Sequence, residues 1–396
     1  MSRLFVVRHV SVLGAALLLL ASPASGQVLQ QALTEPDATF REPFTRIVGL
    51  REFSDGRILL ADRTERHLSF IDFATGAIDQ VGRQGGGPGE YEMPTALFPW
   101  LDDGALLVDM ANTRMTRITS AGRLDESWPI MSSTGRFINP STTDEQGRVY
   151  YSGAGSFMMG PGAPPPSDSQ PVVRWDPATD VHDTVAMLFS PPRITAGRGG
   201  GSGGFSVRTG SGGAMRMSGM RRQPFRPVDA WSVAPNGDVV VVRATDYRVD
   251  WYHGGSVTSG PANAYEPIRI TQAEKEAWAD GQTGQTMTMM VVGGSGGGGQ
   301  TLETPRPNLD EVDFPDVKPA FQAAGTSVTP DGELWVRRYQ RHDAERPLYD
   351  VFDEHGELIK QVRLAAGRTI VGFGSGAVYT VAVDEDDLQW LERYAR

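Results

Sequence analysis

The chain contains no cysteine. That excludes disulfide staples, thiol nucleophiles and thiolate metal sites. Histidine is scarce as well, with 6 in 396 residues. None stands at a His-x-x-x-His or His-Glu-x-x-His spacing, which argues against a zinc site. No Gly-x-Ser-x-Gly elbow joins a strand to a helix, so a nucleophilic triad of that kind has no seat. Basic residues are the minority: 37 Lys plus Arg against 48 Asp plus Glu, a net charge of −11. An acidic balance of this size is a poor match for nucleic acid. No apolar run beyond Leu20 is long enough to cross a bilayer.

The one long apolar run lies at the start. Arg3, Arg8 and His9 precede apolar Val10 to Leu20, and Ala24-Ser25-Gly26 offers small residues for cleavage. Residues 1–26 therefore read as a secretory signal peptide. The next residue is Gln27 rather than cysteine, so no lipoprotein-type anchor is expected. The expectation is an exported protein, periplasmic or extracellular, with residues 27–396 as the folded part.

Glycine (47) and proline (27) are plentiful, and they punctuate a repeat. Six turn signals occur: Asp55-Gly56, Asp103-Gly104, Gln146-Gly147, Asn236-Gly237, Asp331-Gly332 and Ser375-Gly376. Each is followed by an apolar, β-prone run, such as Ile58-Leu59-Leu60 or Val239-Val240-Val241-Val242. A recurring hairpin of this kind predicts an all-β six-bladed β-propeller with four-stranded blades. The last unit stops after its third strand, while residues 28–44 precede the first. Pairing that N-terminal segment into the last blade would close the ring and cover an edge. Turn spacings of about 45 residues fit one blade each. Two longer gaps predict flexible, Gly-rich inserts at about 190–228 and 271–320. In the second, Thr271-Gln272-Ala273-Glu274 is a capping box that opens a short helix, and Gly293 to Gly299 is almost pure Gly and Ser.

The most specific stretch reads Val81-Gly82-Arg83-Gln84-Gly85-Gly86-Gly87-Pro88-Gly89-Glu90-Tyr91, then Asp109, Asn112 and Arg114 after the second strand of its unit. It resembles an NHL repeat. Ala61-Asp62-Arg63-Thr64-Glu65-Arg66-His67 is a partial copy. The resemblance covers about two blades well and the rest in outline, and the chain also resembles exported six-bladed NHL-like propellers of bacteria. That resemblance implies the fold and no particular reaction. Asp109, Asn112 and Arg114 read as loop ties through side-chain-to-backbone bonds.

Two kinds of function fit. A binding or scaffold protein would use the loop face and channel mouth, with Arg83, Glu90, Tyr91, Arg221, Arg222 and Asp229 as candidate ligand contacts. The insert from Thr184 to Val228 carries seven Arg and no acid, which suits a protein, anionic glycan or anionic lipid partner. The plainer alternative is a solvated, disordered loop, or one folded back on the acidic run Glu303, Asp310, Glu311, Asp313 and Asp316. The other function is a calcium-dependent hydrolase or lyase with the ion in the channel. Calcium needs six to eight oxygens, and the inner strands supply one acid, Glu52. No cofactor, no transmembrane segment and a monomer are expected.

Overall fold

The computed structural model describes residues 28–132, 137–152, 167–191, 222–283 and 305–396, with the backbone of four short strands at 206–209, 215–218, 286–289 and 300–303. The signal peptide, Arg193, Arg198, Arg221 and Gly293 to Gly299 lie outside the described residues.

Six antiparallel sheets follow one another along the chain and form a six-bladed β-propeller. Blade 1 runs through Ile47–Glu52, Ile58–Asp62, His67–Ile71 and Ile78–Gln80. Blade 2 uses Pro94–Trp100, Gly104–Asp109, Arg114–Ile118 and Leu124–Pro129. Blades 3 and 4 start at inner strands Thr142–Thr143 and Ala230–Val233, blades 5 and 6 at Phe321–Val328 and Arg368–Gly374. The six turns foreseen in the sequence all join a first strand to a second. Their glycines Gly56, Gly147, Gly237, Gly332 and Gly376 have positive φ, as such tight turns require.

Burial explains the sequence pattern. Second strands are covered on both faces by neighbouring blades, so Ile58–Asp62, Gly104–Asp109 and Val239–Val242 are buried throughout. A strand covered on both faces reads as a continuous apolar run rather than an alternation. Outer strands such as Ile78–Gln80 are exposed along their length. The core is divided into six apolar clusters, one between each pair of adjacent blades. Gly49 shows how tightly the inner strands pack: a Cβ there would lie 2.6 Å from Leu97 Cβ and 2.7 Å from Leu97 N.

Polar links tie each blade to the next near the first-to-second-strand turns. Ser54 Oγ donates to Asp103 (2.6 Å), Thr143 Oγ1 to the Pro99 carbonyl, and Glu145 N to the Pro235 carbonyl (2.9 Å). Val328 N donates to Ser232 Oγ (3.3 Å), Arg396 to Asp331 (2.5 Å), and Tyr379 OH to Glu52 (2.5 Å).

The ring closes through the N-terminal segment. Ala38–Thr39 pairs antiparallel with Arg393 and Glu392 as the outer strand of blade 6, and Phe44 bridges to Gln389. The segment before it does something else. Leu29–Leu33 runs parallel to Leu358–Leu364 and adds a fifth strand to blade 5. One short segment thus covers two sheet edges and bridges the last two blades.

The inserts meet on the face that carries the blade-to-blade crossovers and the second-to-third-strand loops. The foreseen helix spans Gln272–Gln282, and Thr271 Oγ1 caps it by accepting Glu274 N. Glu274 does not complete the capping box. Its carboxylate is buried against Lys318 Nζ (2.5 Å) and accepts His342 N (3.0 Å), which fixes the helix to a loop of blade 5. Lys318 Nζ also lies 5.1 Å from the centre of the Phe225 ring, and Phe225 packs edge-on against Tyr339.

Candidate functional site

The crossover from blade 1 to blade 2 contains the Gly-rich loop. Its polar groups are consumed within the protein. Glu90 Oε2 accepts Gly87 N (2.7 Å), so the loop's own carboxylate takes the place an external anion would need. Arg83 Nε donates to the other Glu90 oxygen at 2.7 Å. The Gly87 amide and then Arg83 hold the Glu90 carboxyl below its ordinary pKa. Arg114 Nη2 donates to the Gly87 and Glu90 carbonyls, and Asn112 Nδ2 to the Gly85 carbonyl. A larger residue at Gly85 would be strained at its φ of +154°, and its Cβ, 2.2 Å from Glu90 Oε2, would displace that carboxylate.

Asp109 anchors this loop from below. It accepts the amides of Glu92 (3.0 Å) and Met93 (2.9 Å) and the Asn112 side chain (2.7 Å). Asp62 does the same in blade 1, accepting Thr45 N and Arg46 N on one oxygen and Thr64 N and Glu65 N on the other. Both aspartates end a second strand, so each repeat pins its own crossover at the same point.

Two of the other candidate contacts, Tyr91 and Asp229, are buried. Tyr91 is fully buried between blades 1 and 2, where its hydroxyl accepts Leu68 N; no ligand can reach its ring. Asp229 is buried, accepts Phe189 N and Ala244 N, and pairs with Arg243 at 2.8 Å. Arg222 is exposed, and its backbone lies against the acidic run: it bridges to Val312, and its carbonyl accepts Asp313 N. Arg221 lies outside the described residues, and the other five do not converge on one site. The inner-strand acid Glu52 is held by Tyr379 and by Ser375 N. Among the described residues no three His, Asp or Glu side chains gather as a metal site would require.

What the loop face does offer is a cavity of about 460 Å³ over blade 2. It is lined by Arg63, Met93, Thr95, Ala96, Val108, Met110, Asn139 and Pro140. Three stretches build it: the loop after the second strand of blade 1, the ends of the first two strands of blade 2, and the crossover into blade 3. Thr95 Oγ1 is spent on the Val108 carbonyl (3.1 Å). The Arg63 guanidinium and the Asn139 amide have no partner among the described residues. The sequence pattern marks Arg63 only as part of the partial NHL-like copy and does not mark the other lining residues. A signal was present in the repeat: Arg63 follows Asp62 and Met110 follows Asp109, so equivalent positions of two blades face the same space.

No family model matches the chain, and no curated protein matches it. Among solved structures it is similar to a Bacteroides fragilis protein whose name describes it as exported, with 12% identity over 93% of this chain and 94% of that one and a TM-score of 0.44. It is also similar to a member of the DUF4221 family from Bacteroides vulgatus, with 8% identity, coverage of 91% and 97%, and a TM-score of 0.47. A third is a gluconolactonase from Xanthomonas campestris, with 10% identity, coverage of 93% and 98%, and a TM-score of 0.40. At 10% identity the gluconolactonase activity stays with that protein.

Proposed function

We propose that the protein is an exported binding propeller that holds a small ligand in the loop-face cavity over blade 2. The observation that carries this reading is the cavity itself: about 460 Å³, mostly apolar, with two unpartnered polar side chains at its wall. Ligand pockets share that make-up, an apolar lining with a few placed polar groups, and that size range. Export rests on residues 1–26, and N-terminal sequencing of the secreted chain should begin at Gln27. The test of binding is a small-molecule fragment screen by ligand-observed NMR on the mature protein. Saturable hits should disappear in Met110→Trp, which fills the cavity, while the far-ultraviolet circular dichroism stays that of the parent. Hits indifferent to the filling, or none at all, would overturn the reading. Stoichiometric calcium in the purified protein would favour a channel hydrolase instead.

A further inference from the structure

Resting on that reading, we infer that the ligand is an organic carboxylate with an apolar body, its charge met by Arg63. Between Arg41 and Arg123 most arginines are spent on a partner. Every other arginine between Arg41 and Arg123, apart from Arg46, holds a carboxylate or a backbone carbonyl: Arg51 on Asp103, Arg66 on Glu92 and Arg114 on the Gly-rich loop are examples. In a chain with a net charge of −11, acids to pair with are abundant. Arg63 has none among the described residues, although it is half-buried. Arg63 N donates to the Arg46 carbonyl at 2.9 Å, so the exposed Arg46 stands opposite it on the neighbouring strand.

A half-buried cation that pairs with no carboxylate among the described residues is a site an anion stabilises. The Gly-rich loop nearby shows the contrasting case, since there the protein supplies its own carboxylate, Glu90. The planar guanidinium fork matches a carboxylate through two parallel bonds. Asn139 adds an amide that can donate to the same head. The remaining wall selects the body of the ligand. Met93, Met110, Val108, Ala96 and Pro140 present no charge, and thioether side chains adapt to varied apolar shapes. A sugar acid, hydroxylated along its length, would leave its hydroxyls facing this wall unpaired.

Isothermal titration of the mature protein with decanoate, decanamide and gluconate separates the possibilities. Decanoate should bind saturably at one site and at least ten-fold more tightly than the other two. Arg63→Gln should weaken decanoate by about 10- to 100-fold, the range for a hydrogen bond to a charged group. Arg63→Lys should recover part of the loss, because the charge returns without the fork. Circular dichroism of both variants should match the parent. If decanamide binds as well as decanoate and Arg63→Gln changes neither, the carboxylate inference is wrong, while loss of both in Met110→Trp would keep the cavity as a binding site. Tighter binding of gluconate also overturns the inference. If none of the three binds while NMR fragments still respond to Met110→Trp, the inference fails alone; if those fragments are also absent, the binding reading fails with it.

Discussion

Ring closure by residues 28–44 can be tested at a single side chain. Phe40 is 1% exposed and stacks with Phe44 at 5.5 Å and edge-on with Phe73 at 5.6 Å. It belongs to the cluster between blades 6 and 1, and its amide donates to the Leu391 carbonyl at 2.8 Å. Phe40→Ala keeps the backbone pairing and removes the ring. Truncating a buried phenylalanine costs about 3–5 kcal/mol. Unfolding entropy near 60 °C is about 2.1 cal/mol/K per residue, or about 0.8 kcal/mol/K for a disc of this length unfolding as one unit. The melting temperature should therefore fall by roughly 4–6 °C. Leu29→Ala is the control. Leu29 sits on the same N-terminal segment but is 62% exposed, so its truncation should cost under about 0.5 kcal/mol and move the midpoint by less than about 1 °C. Differential scanning calorimetry of the mature protein reads both. Hydrogen exchange adds location, since Phe40→Ala should speed exchange in Gln389–Ala395, the strand that the closing segment covers. Equal, small shifts for the two variants would refute the closure argument.

Gly49→Ala should cost about 1–3 kcal/mol in chemical denaturation, the range for overpacking. A second change, Leu97→Ala, should not rescue it, because the new Cβ also meets Leu97 N at 2.7 Å. Asp109→Ala should lose roughly 2–3 kcal/mol through the stranded amides of Glu92 and Met93; a loss below about 0.5 kcal/mol by urea titration would show that water replaces the carboxylate. Glu274 supplies a pH dependence. Burial opposes its ionisation, but bonds from Lys318 and the His342 amide outweigh burial and leave the carboxyl below its usual 4.5. A lowered pKa means that the docking contributes fully above the ordinary carboxylate range and is lost as pH falls through the folded value. Exchange of Gln272–Gln282 should hence accelerate on acidification below about pH 4, whereas Glu274→Gln should exchange fast already at neutral pH and gain little more on acidification.

The count of blades, the position of each first turn and the need for the N-terminal segment in the last blade were legible in the sequence alone. These rest on local chemistry. An Asp-Gly or Asn-Gly pair sets its own backbone conformation, and a strand buried on both faces must be apolar along its whole length. What the tertiary structure decided was which partner each polar side chain finds. The motif box at Thr271 pointed Glu274 back to the helix start, yet Lys318 and His342 take it, because a buried cation outbids one exposed amide. Leu29–Leu33 joins blade 5 rather than blade 6, since an open strand edge in space, not nearness in sequence, sets where a free segment pairs. Of the described residues singled out as ligand contacts, Arg83 and Glu90 are spent on each other, and Tyr91 and Asp229 are sealed in. The cavity that remains is assembled from Arg63, Met93, Met110 and Asn139, which are remote along the chain and become neighbours only when three blades close side by side.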